Sequence, residues 1–295
     1  MIDRRALALL ALAAGCHDRR PGQASPPTPP ATPTAVADEC VAIPYQHELD
    51  VAEASGAAWL AGPQRLLVVS DSGHDGAYVE VDPAGVVQAR GRLPLGTAGD
   101  DVEGLALDGE RVWGLTSSGQ LLGWQRGDQG YTLVDGGPLD ATCAATTVNC
   151  GANYEGLCLA PKALADGCDG YAASKEHGTL VCLHRDGHGW TMARDRAYPV
   201  SDKGKLADCA IAADGTVWTG DNGFGLGAVR QWTIGADGPT LVGQARLGLG
   251  FPEVLAFGPD HTLYRFSDLG GSPSLAVAFR CPDRLPKAGP ADGAE

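Results

Sequence analysis

Basic residues are scarce in this chain: lysine and arginine number 22 against 36 aspartates and glutamates, a formal net charge of −14. An acidic body repels phosphate polymers and anionic lipid headgroups, which argues against a nucleic-acid partner. Apolar runs are short, and the one at residues 6–14 cannot cross a bilayer as a helix. The sequence has no CxxC pair, no GxSxG, no HExxH, no P-loop and no dinucleotide-binding glycine fingerprint. Common hydrolase and nucleotide-binding chemistries therefore lack support. No window sustains a helical period either, which leaves strands as the elements.

What is present begins with the N-terminus. "MIDRRALALLALAAGC" has two arginines, an apolar run and small residues before Cys16, the order of a secretory signal. "LAAGC" resembles a bacterial lipobox, with Ala13 where leucine is usual, so residues 1–15 are expected to be removed and Cys16 lipidated. Ordinary signal cleavage nearby is the other reading. Residues 17–37 hold six prolines among Ser, Thr, Ala and Gln and bury nothing. Residues 16–39 thus read as a lipidated cysteine and an extended tether, which implies a lipid bilayer as partner. The expected location is the bacterial cell envelope, on the outer membrane or a periplasmic face. Loss of Asp3, Arg4 and Arg5 with the signal brings the charge to −15.

The remaining chain is repetitive. "VEGLAL" at 102–107 returns as "YEGLCL" at 154–159, and alignment on these reveals three more copies beginning at Ala54, Leu206 and Pro252. The equivalent positions are Ser55, Glu103, Glu155, Ala207 and Glu253, separated by 48, 52, 52 and 46 residues. Each copy reads as four short strands divided by Gly-, Asp- and Pro-rich turns, the signature of a β-propeller. From Glu253 to Cys281 there are 28 residues, three strands' worth, and residues 40–54 supply 15 more. The N-terminal "VAIPYQHELDV" is therefore expected as the outer strand of the last blade. The prediction is an all-β, five-bladed propeller over residues 40–281, with a disordered tail at 282–295. Six blades, the alternative, would need a unit that the sequence does not contain.

Eight cysteines remain after Cys16, an even number that in an exported chain reads as up to four disulfides. Cys40 is expected to pair with Cys281, stapling the closing strand, and Cys143 with Cys150. Cys158, Cys168, Cys182 and Cys209 leave three connectivities open.

In a propeller the first strand of each blade lines the central channel, so equivalent positions at the strand heads converge on one mouth. Glu103, Glu155 and Glu253 would meet there as like charges, and burial makes charging them costlier. Either they hold protons or a cation sits among them. Oxygen-only chemistry, with Ser55 as the fourth group, suits Ca²⁺ over Zn²⁺. The plainer alternative is that the glutamates bond to neighbouring backbone amides.

The ordered set "ASGAAW…LLVVSDSG…YVEVDPAGVVQARGRLPL…DDVEGLALDGERVWGL…NYEGLCL…YAASKEHGTLVCL" resembles the SdiA-regulated, YjiK-like propeller lipoproteins over about residues 50–280. The wider group resembles the phytase-like and calcium-activated nucleotidase propellers. The resemblance implies five blades and one channel Ca²⁺ held at the strand heads, here by Ser55, Glu103, Glu155 and Glu253. Ala207 departs from that pattern and offers only its backbone carbonyl.

Second strands end at the mouth where first strands begin. Ser70, Asp71, Ser72 and His74, then Ser174, Lys175, Glu176 and His177, with Asp221, Asn222, Ser267 and Asp268, are therefore expected around it. Asp71, Lys175, Glu176, Asp221, Asn222 and Asp268 would form a ligand rim, and Asp71, His74 and Lys175 are the candidate acid–base residues. Plain turns explain "SDSG" and "GDNG" equally well. Two functions follow: a calcium-stabilised binding or scaffold protein for a small molecule or envelope component, or a calcium-dependent hydrolase of a phosphate ester, nucleotide or lactone. Short connections between blades and an acidic surface favour the first.

Overall fold

The computed structural model describes residues 39–187, 189–222, 227–248, 251–270 and 273–287. The expected signal segment, Cys16 and the tether through residue 38 lie outside the described residues.

Two short strands open the chain, β1 (Val41–Ile43) and β2 (Glu48–Ala52). Blade 1 follows as β3 (Ala54–Leu60), β4 (Arg65–Ser70), β5 (Ala77–Val81) and β6 (Val87–Arg92). Blade 2 holds β7 (Val102–Asp108), β8 (Arg111–Thr116), β9 (Gln120–Gly127) and β10 (Gly130–Pro138). Blade 3 holds β11 (Tyr154–Leu159), β12 (Gly170–Ser174), β13 (Thr179–Asp186) and β14 (Gly189–Pro199). Blade 4 holds β15 (Leu206–Ile211), β16 (Val217–Asp221), β17 (Ala228–Gly235) and β18 (Gly238–Arg246). Blade 5 completes the chain with β19 (Phe251–Phe257), β20 (Thr262–Asp268) and β21 (Pro273–Arg280). Among the described residues the sole helical element is a 3₁₀ turn, Pro259–His261.

Each blade is an antiparallel meander, and β1 and β2 both pair with β21 as the fourth strand of blade 5. The first strands touch in a closed circuit, β3 to β7 to β11 to β15 to β19 and back to β3. This is the expected five-bladed propeller, closed by the N-terminal segment.

Its sequence logic is legible in burial. The second strands "RLLVVS", "RVWGLT", "GYAAS" and "VWTGD" are buried almost throughout, because a blade is covered on both faces by its neighbours. Outer strands such as β14 carry exposed residues along much of their length. The apolar core is accordingly five wedges rather than one centre. Leu67, Val69 and Tyr78 of blade 1 pack with Val102, Val112 and Trp124 of blade 2, and each other blade junction has a cluster of its own.

Both expected disulfides form, Cys40–Cys281 and Cys143–Cys150. The open connectivity resolves as Cys158–Cys209, which ties β11 to β15 across blades 3 and 4, and Cys168–Cys182, internal to blade 3. The tail expected from residue 282 is packed through its first part. Leu285 is buried, its N–H donates to Gln231 Oε1 at 2.8 Å, and Gln244 N–H donates to Pro286 O at 3.0 Å. Residues 288–295 lie outside the described set.

Candidate metal centre

Every first strand contains a β-bulge at the same place. The pairing register skips one residue between Ala54 and Gly56, Val102 and Gly104, Tyr154 and Gly156, Leu206 and Asp208, and Pro252 and Val254. The skipped residues are Ser55, Glu103, Glu155, Ala207 and Glu253, the five positions aligned in the sequence. A bulge re-aims its extra residue out of the ladder. The acid at the strand head is thus a side chain taken out of blade pairing and turned toward its counterparts. The glycines that follow let the blades close: a Cβ on Gly104 would stand 2.2 Å from Leu157 N, and one on Gly156 would stand 2.4 Å from Asp208 Oδ1.

Around this ring lies a second one, formed where second strands end. Asp71, Ser117, Lys175 and Asn222 donate backbone N–H groups to the residues Glu53, Asp101, Asn153 and Lys205 that precede the bulges. Asp268 holds the same place in blade 5, opposite Phe251.

Three acids from the two rings come together. Asp71, Asp101 and Glu103 each present a carboxylate oxygen such that all lie within 4.8 Å of one another. Asp101 and Glu103 are buried, Asp71 half-buried. Asp101 Oδ2 accepts from Ser117 Oγ, while its Oδ1 is buried with no hydrogen-bond partner. Glu155 is differently engaged: Oε1 accepts from Asn153 Nδ2 at 2.7 Å and Oε2 from Lys175 Nζ at 2.9 Å. Glu253 accepts from Asn222 Nδ2. The Ser55 hydroxyl donates to Val102 O at 2.5 Å, so only its lone pairs face the channel chemistry.

Asp71, Asp101, Glu103, Glu155 and Glu253 therefore share the mouth with one ammonium, and Asp268 adds its charge at the rim. Burial and then the charges of Glu155, Asp71, Asp101 and Glu253 push Glu103 well above the carboxylate range. Burial pushes Glu253 to about 7 against the pull of Lys175, and burial with Asp71 nearby pushes Asp101 to about 6. Glu155 and Asp71 are raised too, chiefly by burial. For Lys175 burial works the other way, but Glu155 and the neighbouring acids outweigh it and hold the ammonium protonated.

Several expected residues take other roles. Asp221 is turned into blade 4, where Ser201 Oγ donates to it at 2.6 Å and Arg230 pairs with it, so Asn222 rather than Asp221 belongs to the rim. Ser174 and Ser267 hydroxyls donate to backbone carbonyls of Ala152 and Phe251. Ser70 is buried beside Asp71, and Ser72 N–H donates to the Asp71 carboxylate at 2.5 Å. His74 Nε2 is held by Glu53 Oε2 at 2.8 Å. Glu176 and His177 are exposed on the turn after β12, away from the acid cluster's hydrogen bonds. The three candidate acid–base residues thus have three separate partners and do not form one relay.

Sequence reading missed three groups. Asp101 sits in "GDDVEG", where it passes for a turn residue, and Ser117 sits in "TSSG", which aligns with "SDSG" at 70–73 but has serine in place of Asp71. Asp208 aligns with Gly104 and Gly156. Its buried carboxylate crosses toward blade 5, accepting from Leu255 N–H and Cys209 N–H at 2.7 Å each, and burial raises it well above the usual range. The other grouping of metal-type donors, Asp166 with Cys168 and Cys182, contains a disulfide and has no thiolate to offer.

No family model matches this chain, and no curated protein matches it. Solved structures do. Glutaminyl cyclase of Myxococcus xanthus is 16% identical, with 83% of this chain and 97% of that one covered at a TM-score of 0.55. A calcium-binding regucalcin of Agrobacterium tumefaciens is 13% identical, covering 82% and 97% at 0.47. The PQQ-bound aldose sugar dehydrogenase of Streptomyces coelicolor is 14% identical, covering 84% and 100% at 0.48. At such identities the likeness to the first reaches the fold and stops there: the chain is a β-propeller.

Proposed function

We propose that this chain is an exported, membrane-anchored propeller lipoprotein whose channel mouth holds one Ca²⁺, with a binding or scaffold role. The single observation that carries the cation is the Asp71–Asp101–Glu103 cluster, three carboxylates within 4.8 Å of one another, with no donor to the buried Asp101 Oδ1. A buried carboxylate oxygen without a partner is costly, and an oxygen-only, acid-rich donor set is what a hard cation takes. Glu155, paired with Lys175, and Glu253 bring further carboxylate oxygens to the same mouth, with Ser55 as a neutral oxygen. When bound, the ion supplies positive charge that lets these acids ionise together.

Export is supported by four disulfides, which persist in oxidising compartments, together with the signal-like N-terminus. Among the described residues no helix is long and apolar enough to cross a membrane. Anchoring through Cys16 and kinship with the SdiA-regulated, YjiK-like group rest on the sequence motifs. The calcium-binding neighbour is consistent with the cation but supplies no argument for it.

A calcium-dependent hydrolase is the second reading, favoured by half-buried Asp71, which borders both the acid cluster and solvent. Elemental analysis and calcium titration of the purified protein test the first. One Ca²⁺ per chain is expected, with affinity lowered at least tenfold in Glu103→Gln and Glu155→Gln. A metal-free protein that ignores added calcium would remove the ion from the account. Calcium-dependent turnover of a phosphate ester, nucleotide or lactone would promote the hydrolase reading.

A further inference from the structure

The connection between β10 and β11 reaches Ser117 through Asn149 and is itself closed by the Cys143–Cys150 disulfide. We propose that this stapled loop and Ser117 beneath it position Asp101 for the cation, an inference that rests on the calcium reading above.

The geometry is a relay with a fixed direction. Asn149 N–H reaches Ser117 Oγ at 2.9 Å, and Ser117 Oγ contacts Asp101 Oδ2. A backbone N–H can only donate, so the serine oxygen accepts there and turns its own proton toward Asp101. Asp101 Oδ2 is therefore held as an acceptor, and the other oxygen, Oδ1, is buried with no donor to it, in a carboxylate that lies within 4.8 Å of those of Asp71 and Glu103. The relay gives the carboxylate one orientation and leaves one oxygen for the ion.

Everything about the loop serves to keep Asn149 in place. It has a left-handed backbone, φ 51°, one residue before the bridged Cys150. Asn153 N–H donates to Cys150 O at 3.1 Å, and Tyr154 N–H donates to Ser117 O at 3.0 Å. From the other side Gly99 N–H donates to Ala145 O at 2.8 Å, and a Cβ on Gly99 would stand 3.2 Å from Thr146 Cα. The bridge spans a separation of only seven residues and joins no two blades, so ring closure does not depend on it. Its reach is local, and what lies within reach is the Ser117–Asp101 pair. The connection, residues 139–153, is also longer than the short ones expected from the sequence.

Groups that orient a metal ligand from outside typically change affinity by about 10–100-fold when removed. The test uses the full chain as wild type, as Cys143→Ser/Cys150→Ser, and as Ser117→Ala. Each protein is titrated with calcium by calorimetry and melted in chelator. Both variants should bind calcium about 10–100-fold more weakly, with chelator melting temperatures within a few degrees of wild type. Variants that bind as wild type does would overturn the positioning role alone. So would variants whose metal-free melting temperature falls as far as that of a Cys40→Ser/Cys281→Ser protein, since the loop would then be structural. A wild type that binds no calcium would overturn the cation reading and this inference together.

Discussion

Glu103, Glu155 and Glu253 owe their position to a backbone irregularity. Each is the extra residue of a bulge, so its carboxylate is free of ladder geometry, and after Glu103 and Glu155 a glycine lets the neighbouring blade approach closely. Where the acid is missing, at Ala207, the following residue is Asp208, and its carboxylate fills the space that Gly156 leaves open. The three glutamates are legible in the sequence because they recur beside the same apolar run. Asp101, Ser117 and Asp208 are not, because their roles depend on register across blades and no repeat marks them. Away from the mouth, Glu80 shows the opposite electrostatics. Burial would raise it, but hydrogen bonds from Arg126, Arg65 and Tyr131 outweigh that and hold it below the usual carboxylate range. An acid depressed on folding stabilises above its unfolded pKa, and that stability is lost as pH falls through its folded value. Glu80→Gln should therefore destabilise at neutral pH and make less difference in acid. The expected loss is about 2 kcal/mol, less than the ~3–5 kcal/mol for a fully buried pair, since both arginines keep water contact. Urea unfolding at pH 7 and near pH 3 checks this, and equal losses at both would exclude the electrostatic cause.

At the scale of elements, the first three strands of each blade follow from patterning, because apolar runs between turn residues leave little choice. Closure is the exception that still could be read. Three strands after Glu253 and a spare N-terminal segment require each other, and Cys40 with Cys281 marks the seam. The segment is split into β1 and β2 around Pro44, which the sequence gives as a proline and the pairing shows as a break. The packed turn beyond Cys281 was not legible: Leu285 is one apolar residue in a polar tail, and its partner Gln231 is remote in sequence. Cys40–Cys281 closes a separation of 241 residues, for which chain entropy alone gives about 5 kcal/mol. Cys40→Ser/Cys281→Ser should unfold at markedly lower denaturant, with blade 5 exchanging its amide hydrogens first. Unaltered exchange in β21 would show that strand pairing alone holds the seam.

For the whole molecule, each blade junction has its own tie. Glu80 with Arg126 joins blades 1 and 2, Asp108 with Arg185 joins 2 and 3, and Cys158–Cys209 joins 3 and 4. Asp208 with Leu255 N–H joins 4 and 5, and Ser274 Oγ accepting Ala54 N–H joins 5 and 1. The channel mouth works against these ties, because it gathers Asp71, Asp101, Glu103, Glu155 and Glu253, with Asp268 nearby, around Lys175. Without a cation, acids such as Glu253 at about 7 and Asp101 at about 6 keep protons in the fold that they release when unfolded. Raised folded pKa values mean stability that is full below the ordinary carboxylate range and lost as pH rises through about 6–7. Calcium bound there, as proposed, would replace those protons, so its stabilising effect would grow over the same window. The decisive measurement is the melting temperature in calcium and in chelator, taken at pH 5 and at pH 8. The account predicts a shift of several degrees at pH 8 that shrinks toward pH 5, with the chelated protein more stable at the lower pH. Melting temperatures equal with and without calcium at both pH values would contradict it.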